Sequence, residues 1–253
     1  MIAEQRPVTI KIGGVAGQHA QSLRWLARSA PPTTVVVHGG GNEVAEWSRR
    51  HGLEPRTHDG LRVTDPETLD VVVAVLGGLI NTRLVAALVG SGRAAVGLTG
   101  ADGGLLRLRR HDPVLGEVGE VNAVDTTLLD ALQREGLLPV VASVGVDPSG
   151  DLLNVNADEV AGAIAAARGG LLLLCTDVPG VQRDGQLLPE LDATAAEGML
   201  EDGSASAGMR PKLRAALAAA RAGCEVRIVD GRSAAALESA MQGGSAGTMV
   251  TAA

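Results

Sequence analysis

Short apolar runs rich in β-branched residues recur along the chain. Most break at glycine or proline and lead into longer stretches with helical spacing. Val8–Ile12 reads as a buried strand that breaks at Gly13-Gly14, before an amphipathic helix from about His19 to Ser29 that Pro31-Pro32 ends. Thr34–Val37 is a second strand, running into His38-Gly39-Gly40-Gly41 and a helix Asn42–His51 with Asn42 as its N-cap. A turn or hairpin follows at Gly60–Thr64, then a helix entered through Asp65-Pro66 and running towards Val89. Gly77-Gly78 lies inside that helix; close approach of a second helix, as at a dimer interface, would account for the pair. Ala94–Leu98 predicts a third buried strand, Leu105–Arg109 and Glu117–Val121 a hairpin, Thr126–Glu135 a helix and Pro139–Ser143 a strand. Asn154–Asp158 reads as extended, followed by helix Glu159–Ala167 and strand Leu171–Cys175. Asp184-Gly185 is a hairpin turn. Helix Ala193–Asp202, a small flexible run Gly203–Gly208, helix Met209–Ala222, strand Glu225–Val229, helix Ala234–Met241 and a strand near Met249 complete the chain. This order predicts an α/β fold: a three-layer α/β/α sandwich around a mainly parallel open sheet, with inserted β-hairpins. A faint shift of composition near Arg168-Gly169-Gly170 suggests an N-terminal lobe, 1–168, and a C-terminal lobe, 169–253.

Composition narrows the function. Apolar residues make up 45% of the 253, enough for a large core, yet there is no Phe or Tyr and there are only two Trp, Trp25 and Trp47. Base-stacking platforms cannot be built from such a chain, and a formal net charge of −7 opposes a polyanion partner; no nucleic acid is expected. Cys175 and Cys224 lie in apolar runs and read as buried thiols. No signal peptide and no apolar run of membrane-spanning length is apparent, so no membrane partner is expected and a cytoplasmic location is the default.

The candidate chemistry starts from a compositional oddity. Of 22 basic residues, 20 are arginine and only Lys11 and Lys212 are lysine. An ammonium is a compact point charge, and it meets a phosphoryl group differently from a planar guanidinium. Lys11 sits inside a strand, and Lys212 in the first turn of a helix, where the dipole disfavours a cation and a neighbouring anion is implied. Two successive strands end in glycine clusters before helices, an arrangement that lets backbone N–H groups crowd towards an anion. In an extended Asn154–Asp158, residues Asn154, Asn156 and Asp158 share a face; capping of the following helix by Asp158 is the plainer explanation of that residue alone. Arg62 could fork onto a carboxylate or be an ordinary surface arginine. His38 suits a hydrogen-bonding structural role at least as well as catalysis. There is no P-loop, no dinucleotide fingerprint and no zinc spacing. Two lysines, a carboxylate and glycine loops without an evident base are what phosphoryl transfer needs when the acceptor is already a good nucleophile.

In order, Lys11-Ile12-Gly13-Gly14, His38-Gly39-Gly40-Gly41, Gly60-Leu61-Arg62-Val63-Thr64, Asn154-Val155-Asn156-Ala157-Asp158, Thr176-Asp177-Val178-Pro179-Gly180 and Gly208-Met209-Arg210-Pro211-Lys212 resemble the segments of the amino acid kinase family, most closely its N-acetylglutamate-phosphorylating branch. The resemblance covers nearly the whole chain. It implies ATP-dependent phosphorylation of the γ-carboxylate of N-acetyl-L-glutamate, in arginine biosynthesis. By the same resemblance Lys11 and Lys212 flank the transferring phosphoryl group and Asp158 holds both. Gly40, Gly41, Arg62, Asn154 and Asn156 bind the acylamino acid. Gly13, Gly14, Thr176, Asp177, Val181 and Met209 border the nucleotide. Mg²⁺ is held mostly by ATP oxygens and water, with no dedicated protein ligand set. The family usually has glycine where Ala207 stands. The chain begins at its first strand, which suggests a homodimer without the extra helix of arginine-inhibited members. Two other readings stay open: a kinase of carrier-bound aminoadipate or glutamate in lysine biosynthesis, and a catalytically inactive ligand-binding regulator on the same fold.

Overall fold

The computed structural model describes residues 6–13 and 20–253. An eight-stranded sheet runs in the order Glu190–Leu191, Thr248–Val250, Glu225–Asp230, Leu171–Thr176, Val8–Ile12, Thr34–His38, Leu138–Ala142, Ala95–Thr99. All neighbours are parallel except Glu225–Asp230 with Thr248–Val250. A four-stranded sheet sits beside it, in the order Leu152–Asn154, Val144–Val146, Leu106–Arg110, Gly119–Val124. Two small hairpins, Thr57–His58 with Leu61–Arg62 and Gln182–Arg183 with Gln186–Leu187, are the inserted hairpins expected from the sequence. Asp59 and Gly60 both have positive φ in the first, as a tight two-residue turn requires.

The period of two along each strand divides the core between the sheet's faces. Val35, Val37, Val141, Leu172 and Leu174 pack with residues of helices Ala157–Arg168 and Met209–Arg221. Val8, Ile10, Ile12, Val36, Val140, Leu171 and Leu173 pack with residues of helices Ala20–Ser29, Asn81–Gly90 and Ala234–Met241. This is the expected three-layer sandwich. Because Val8, Ile10 and Ile12 occupy the second face, Thr9 and Lys11 are turned to the first, under the two helices that carry Asp158 and Lys212.

Four local expectations are corrected. Ala95–Thr99 is the edge of the large sheet and only partly buried. Asn42 is not an N-cap: helix Gly41–Arg50 starts one residue earlier behind Gly40, without a side-chain cap. The 154–158 segment is not extended throughout. The strand stops at Asn154 and helix Ala157–Arg168 begins at once, capped by the Asn156 side chain, which accepts from the N–H groups of Asp158 and Glu159.

The fourth concerns Pro66–Gly90, a continuous 25-residue helix whose most apolar 18-residue stretch has mean hydropathy 2.0, long and apolar enough to cross a membrane by length and composition. Here Val72, Val75, Leu76, Ile80, Leu84 and Leu88 bury its inner side in the core of the large sheet. Asp65 caps it by accepting from the Thr68 N–H. Its middle, Ala74–Ile80, winds as a π-helix. Gly77 meets the side chain of Thr99 rather than another helix, and Gly78 is open.

Candidate active site

The parallel strands Val8–Ile12, Thr34–His38, Leu138–Ala142 and Leu171–Thr176 deliver their C-terminal ends to one rim, where open α/β sheets place ligands. Lys11 Nζ lies 3.0 Å from Asp158 Oδ1. Lys212 Nζ donates to both oxygens of the same carboxylate, at 3.0 and 3.1 Å. The three side chains are only 8–11% exposed. Lys11 arrives from a strand end, Asp158 from the first turn of Ala157–Arg168 and Lys212 from the first turn of Met209–Arg221. The anion implied by a lysine at a helix start is therefore Asp158.

The electrostatics of this trio are unbalanced. Burial pushes the Asp158 carboxyl up, but the two ammonium groups outweigh it and hold it below the usual carboxylate range. Burial pushes Lys212 down, and the charge of Lys11 adds to that against the attraction of Asp158. Two cations share one anion, leaving one positive charge in excess in a nearly dry place. An incoming phosphate would remove that excess.

One cavity opens on the two lysines, and a second lies beside Asn156 and Ala157, next to Asp158 in the chain. The first, of about 260 Å³, is lined by Lys11, Gly13, Asn42, Thr176, Asp177, Val178, Ser206, Gly208, Met209 and Lys212, with Cys175 at its base. The Cys175 thiol is pushed up to about 12 by burial and takes no part as a nucleophile. The second, of about 210 Å³, has Gly39, Gly40, Gly41, Arg62, Ser143, Asn154 and Asn156 in its wall. The Gly39–Asn42 stretch thus borders both. Arg62 is half-buried; its Nη2 donates to the Gly41 carbonyl at 2.7 Å, while its buried Nη1 has no partner among the described residues. Burial, and then the charge of Arg49, push its guanidinium below its ordinary value. An unpaired buried guanidinium nitrogen in a cavity wall asks for an acceptor such as a carboxylate.

His38 is buried and its imidazole is lowered to about 4, chiefly by desolvation and further by Lys11, so it is neutral near pH 7. Its Nδ1 is 3.1 Å from the Gly39 carbonyl and its Nε2 is 3.0 Å from Asn81 Nδ2. A ring committed on both sides is structural, in keeping with the plainer expectation for it.

The structure brings Lys11, Asp158 and Lys212 together, places Gly40, Gly41, Arg62, Asn154 and Asn156 around one cavity, and Gly13, Thr176, Asp177 and Met209 around the other. Gly14 lies outside the described residues. Val181 lines neither cavity; it is wholly buried in the core and its N–H donates to Thr248 Oγ1. Residues the sequence did not single out include Ser143, Asn42, and Thr64, whose hydroxyl accepts from Asn154 Nδ2 at 3.1 Å. The Gly60–Thr64 motif contained Thr64, but its hydroxyl carried no separate signal.

The family model for the amino acid kinase family matches residues 10–230, and the chain belongs to that family. It is 44% identical to the acetylglutamate kinase of Rubrobacter xylanophilus over 97% of both chains, and 44% identical to that of Methanopyrus kandleri over 87% of this chain and 93% of the other. Among solved structures, smu.665 of Streptococcus mutans UA159 superposes with a TM-score of 0.84 at 26% identity over 97% of this chain and 98% of that one. Carbamate kinase of Giardia shares the fold at a TM-score of 0.72 and 16% identity, over 98% of this chain and 99% of that one.

Proposed function

We propose that this chain is an acetylglutamate kinase: it transfers the γ-phosphoryl group of ATP to the γ-carboxylate of N-acetyl-L-glutamate, forming N-acetyl-L-glutamyl 5-phosphate, a step of arginine biosynthesis. The observation that carries this reading is the Lys11–Asp158–Lys212 trio, whose two lysines line a cavity, supported by full-length relatives bearing that name. The acceptor is itself an anionic nucleophile, so no base is needed. Catalysis then falls to positioning and charge neutralisation. Lys11 and Lys212 approach the phosphoryl group from a strand and a helix that belong to distant parts of the chain, and Asp158 keeps both ammonium groups in register. The N–H groups of Gly40 and Gly41 meet the reacting carboxylate. Arg62 forks onto the α-carboxylate with its unpaired Nη1, and Asn154 and Asn156 border the acetylamino group.

ATP occupies the cavity beside Thr176, Asp177 and Met209, with Gly13 at its phosphates. Mg²⁺ would travel on those phosphates and ease the departure of ADP by offsetting its charge. Asp158 is committed to the lysines, which leaves Asp177 as the carboxylate among the described residues lining that cavity. One carboxylate plus phosphate oxygens is a fitting set for that ion. The division 1–168 and 169–253 then separates the acceptor side from the nucleotide side. A cytoplasmic homodimer is part of the same reading, with the outer face of Pro66–Gly90, where Ala74 and Gly78 are exposed and Val89 is 53% exposed, as the contact surface.

The test is ADP release with N-acetylglutamate, glutamate or aminoadipate as acceptor at saturating ATP. Turnover dominated by N-acetylglutamate is expected. Preference for aminoadipate, or no turnover with any of the three, would overturn the assignment.

A further inference from the structure

Asn81 is a lone amide on the buried side of an apolar helix, and the large sheet is moulded around it. It is 4% exposed and follows directly on the π-helical turn Ala74–Ile80. Its Nδ2 donates to the Val140 carbonyl at 2.9 Å and approaches the Leu98 carbonyl at 3.3 Å and His38 Nε2 at 3.0 Å. Two carbonyl oxygens on one side fix the amide orientation, since the opposite flip would set oxygen against oxygen. Position 97 is glycine, and a β-carbon there would overlap Asn81 Oδ1. From the same turn, Ile80 and Leu76 press on Gly40, where a β-carbon would overlap Ile80. A π-turn inside a long α-helix re-aims side chains, and such turns gather at functional sites. Here it points Leu76, Ile80 and Asn81 at the strand end and glycine loop that border the acceptor cavity.

The chain of hydrogen bonds has a direction. Asn81 donates to Nε2, so the neutral imidazole carries its proton on Nδ1, and that N–H donates to the Gly39 carbonyl. In a trans peptide the carbonyl and the following N–H point opposite ways. Holding the Gly39 oxygen against the buried ring therefore turns the Gly40 N–H away from the ring, on the side where Gly39, Gly40 and Gly41 line the acceptor cavity.

We infer that Asn81 is a positioning residue for phosphoryl transfer: by fixing the His38 tautomer it sets the Gly39–Gly40 peptide so that the Gly40 N–H faces the reacting carboxylate. This rests on reading the cavity as the N-acetylglutamate site. Neither side chain touches substrate; both act through the peptide.

The test combines spectroscopy with kinetics. In histidine-¹⁵N-labelled protein, His38 is expected as the neutral Nδ1–H tautomer at pH 7, the less common form in water. Asn81→Asp places an acceptor at Nε2 and should draw the proton there. Its kcat with N-acetylglutamate should fall about tenfold or more while KM for ATP stays within about threefold, as for weakening one transition-state donor. His38→Leu should do the same. His38→Asn keeps an amide donor close to the Nδ1 position and should recover most of the lost kcat. Wild-type His38 in the Nε2–H form, or Asn81→Asp and His38→Leu variants that keep wild-type kcat, would overturn the inference and leave the enzyme assignment intact. Absence of N-acetylglutamate turnover in the wild-type protein would instead overturn the assignment beneath it. Should Asn81→Asp fail to fold, the wild-type tautomer and the contrast between His38→Asn and His38→Leu still decide.

Discussion

At the scale of single residues, charge counting separates stability from catalysis. Lys11, Lys212 and Asp158 carry two positive charges against one negative. Removing Lys212 leaves a balanced Lys11–Asp158 pair, so Lys212→Ala is expected to lose about two or more orders of magnitude in kcat with little or no loss of thermal midpoint. Removing the carboxylate leaves two buried ammonium groups facing each other. Asp158→Asn is expected to destabilise the fold by about 3–5 kcal/mol near pH 7, the scale of breaking a buried ion pair from one side. Its pH dependence has a defined sign. The folded-state value of Asp158 lies below its unfolded one, so its contribution is fully present above the ordinary carboxylate range and is lost as pH falls through the folded value. The gap between wild type and Asp158→Asn should therefore be full near neutral pH and close in strong acid, which denaturant titrations across pH will show. Lys11→Arg tests shape rather than charge. A planar fork in the place of a point charge should lose about two orders of magnitude in kcat, and near-normal turnover would remove Lys11 from its role.

At this scale the sequence was readable wherever residue choice departed from the chain's habits. Two lysines among 20 arginines led directly to Lys11 and Lys212. Asp158 was singled out on an extended geometry that the fold does not keep, because the helix starts inside the motif rather than after it; its pairing with both lysines followed only from the family resemblance. Asn81 was missed because one amide in an apolar helix has no spacing signature; its meaning lies in strands that are distant in sequence. Val181 follows Thr176–Val178 closely along the chain, but the turn there folds it inward against Thr248.

Among elements, the decisive contact is between the two helices that present Asp158 and Lys212. They pass closely at Gly162, where an added β-carbon would lie 3.1 Å from the Ala215 carbonyl oxygen and 3.4 Å from the Ala215 β-carbon. A larger side chain must wedge the helices apart. Gly162→Val is expected to cost about 1–3 kcal/mol, typical of overpacking, and to lower kcat by loosening the hold of Lys212 on Asp158. A thermal midpoint lowered with unchanged kcat would show that the trio tolerates that displacement. The elements themselves were largely legible, since most strands are β-branched or leucine-rich runs and most helices are bounded by caps, glycine or proline. What escaped was context. Nothing in the run Ala95–Thr99 distinguishes an edge strand from a central one, and the π-turn at Ala74–Ile80 leaves the apolar pattern of its helix intact.

For the whole molecule, the outer face of Pro66–Gly90 is the contact surface of the dimer proposed above. The dimer expected from that face should sediment at twice the 25.6 kDa of one chain, and Val89→Glu should shift it towards the monomer. Sedimentation at a single-chain mass across the micromolar range would contradict this. The layered architecture brings residues 11, 158 and 212 to one rim because parallel strands share an end, a feature the alternating strand and helix pattern already dictated.

The central claim is that a carboxylate, rather than a hydroxyl or an amine, receives the phosphoryl group between the two lysines. Trapping with hydroxylamine tests it most directly, since an acyl phosphate is converted to a hydroxamate whereas a phosphate ester or phosphoramidate is not. With ATP, Mg²⁺ and N-acetyl-L-glutamate the wild-type protein should give hydroxamate in step with ADP, and Lys212→Ala should give neither at a comparable rate. ADP released without hydroxamate, or hydroxamate formed equally well without Lys212, would contradict the account.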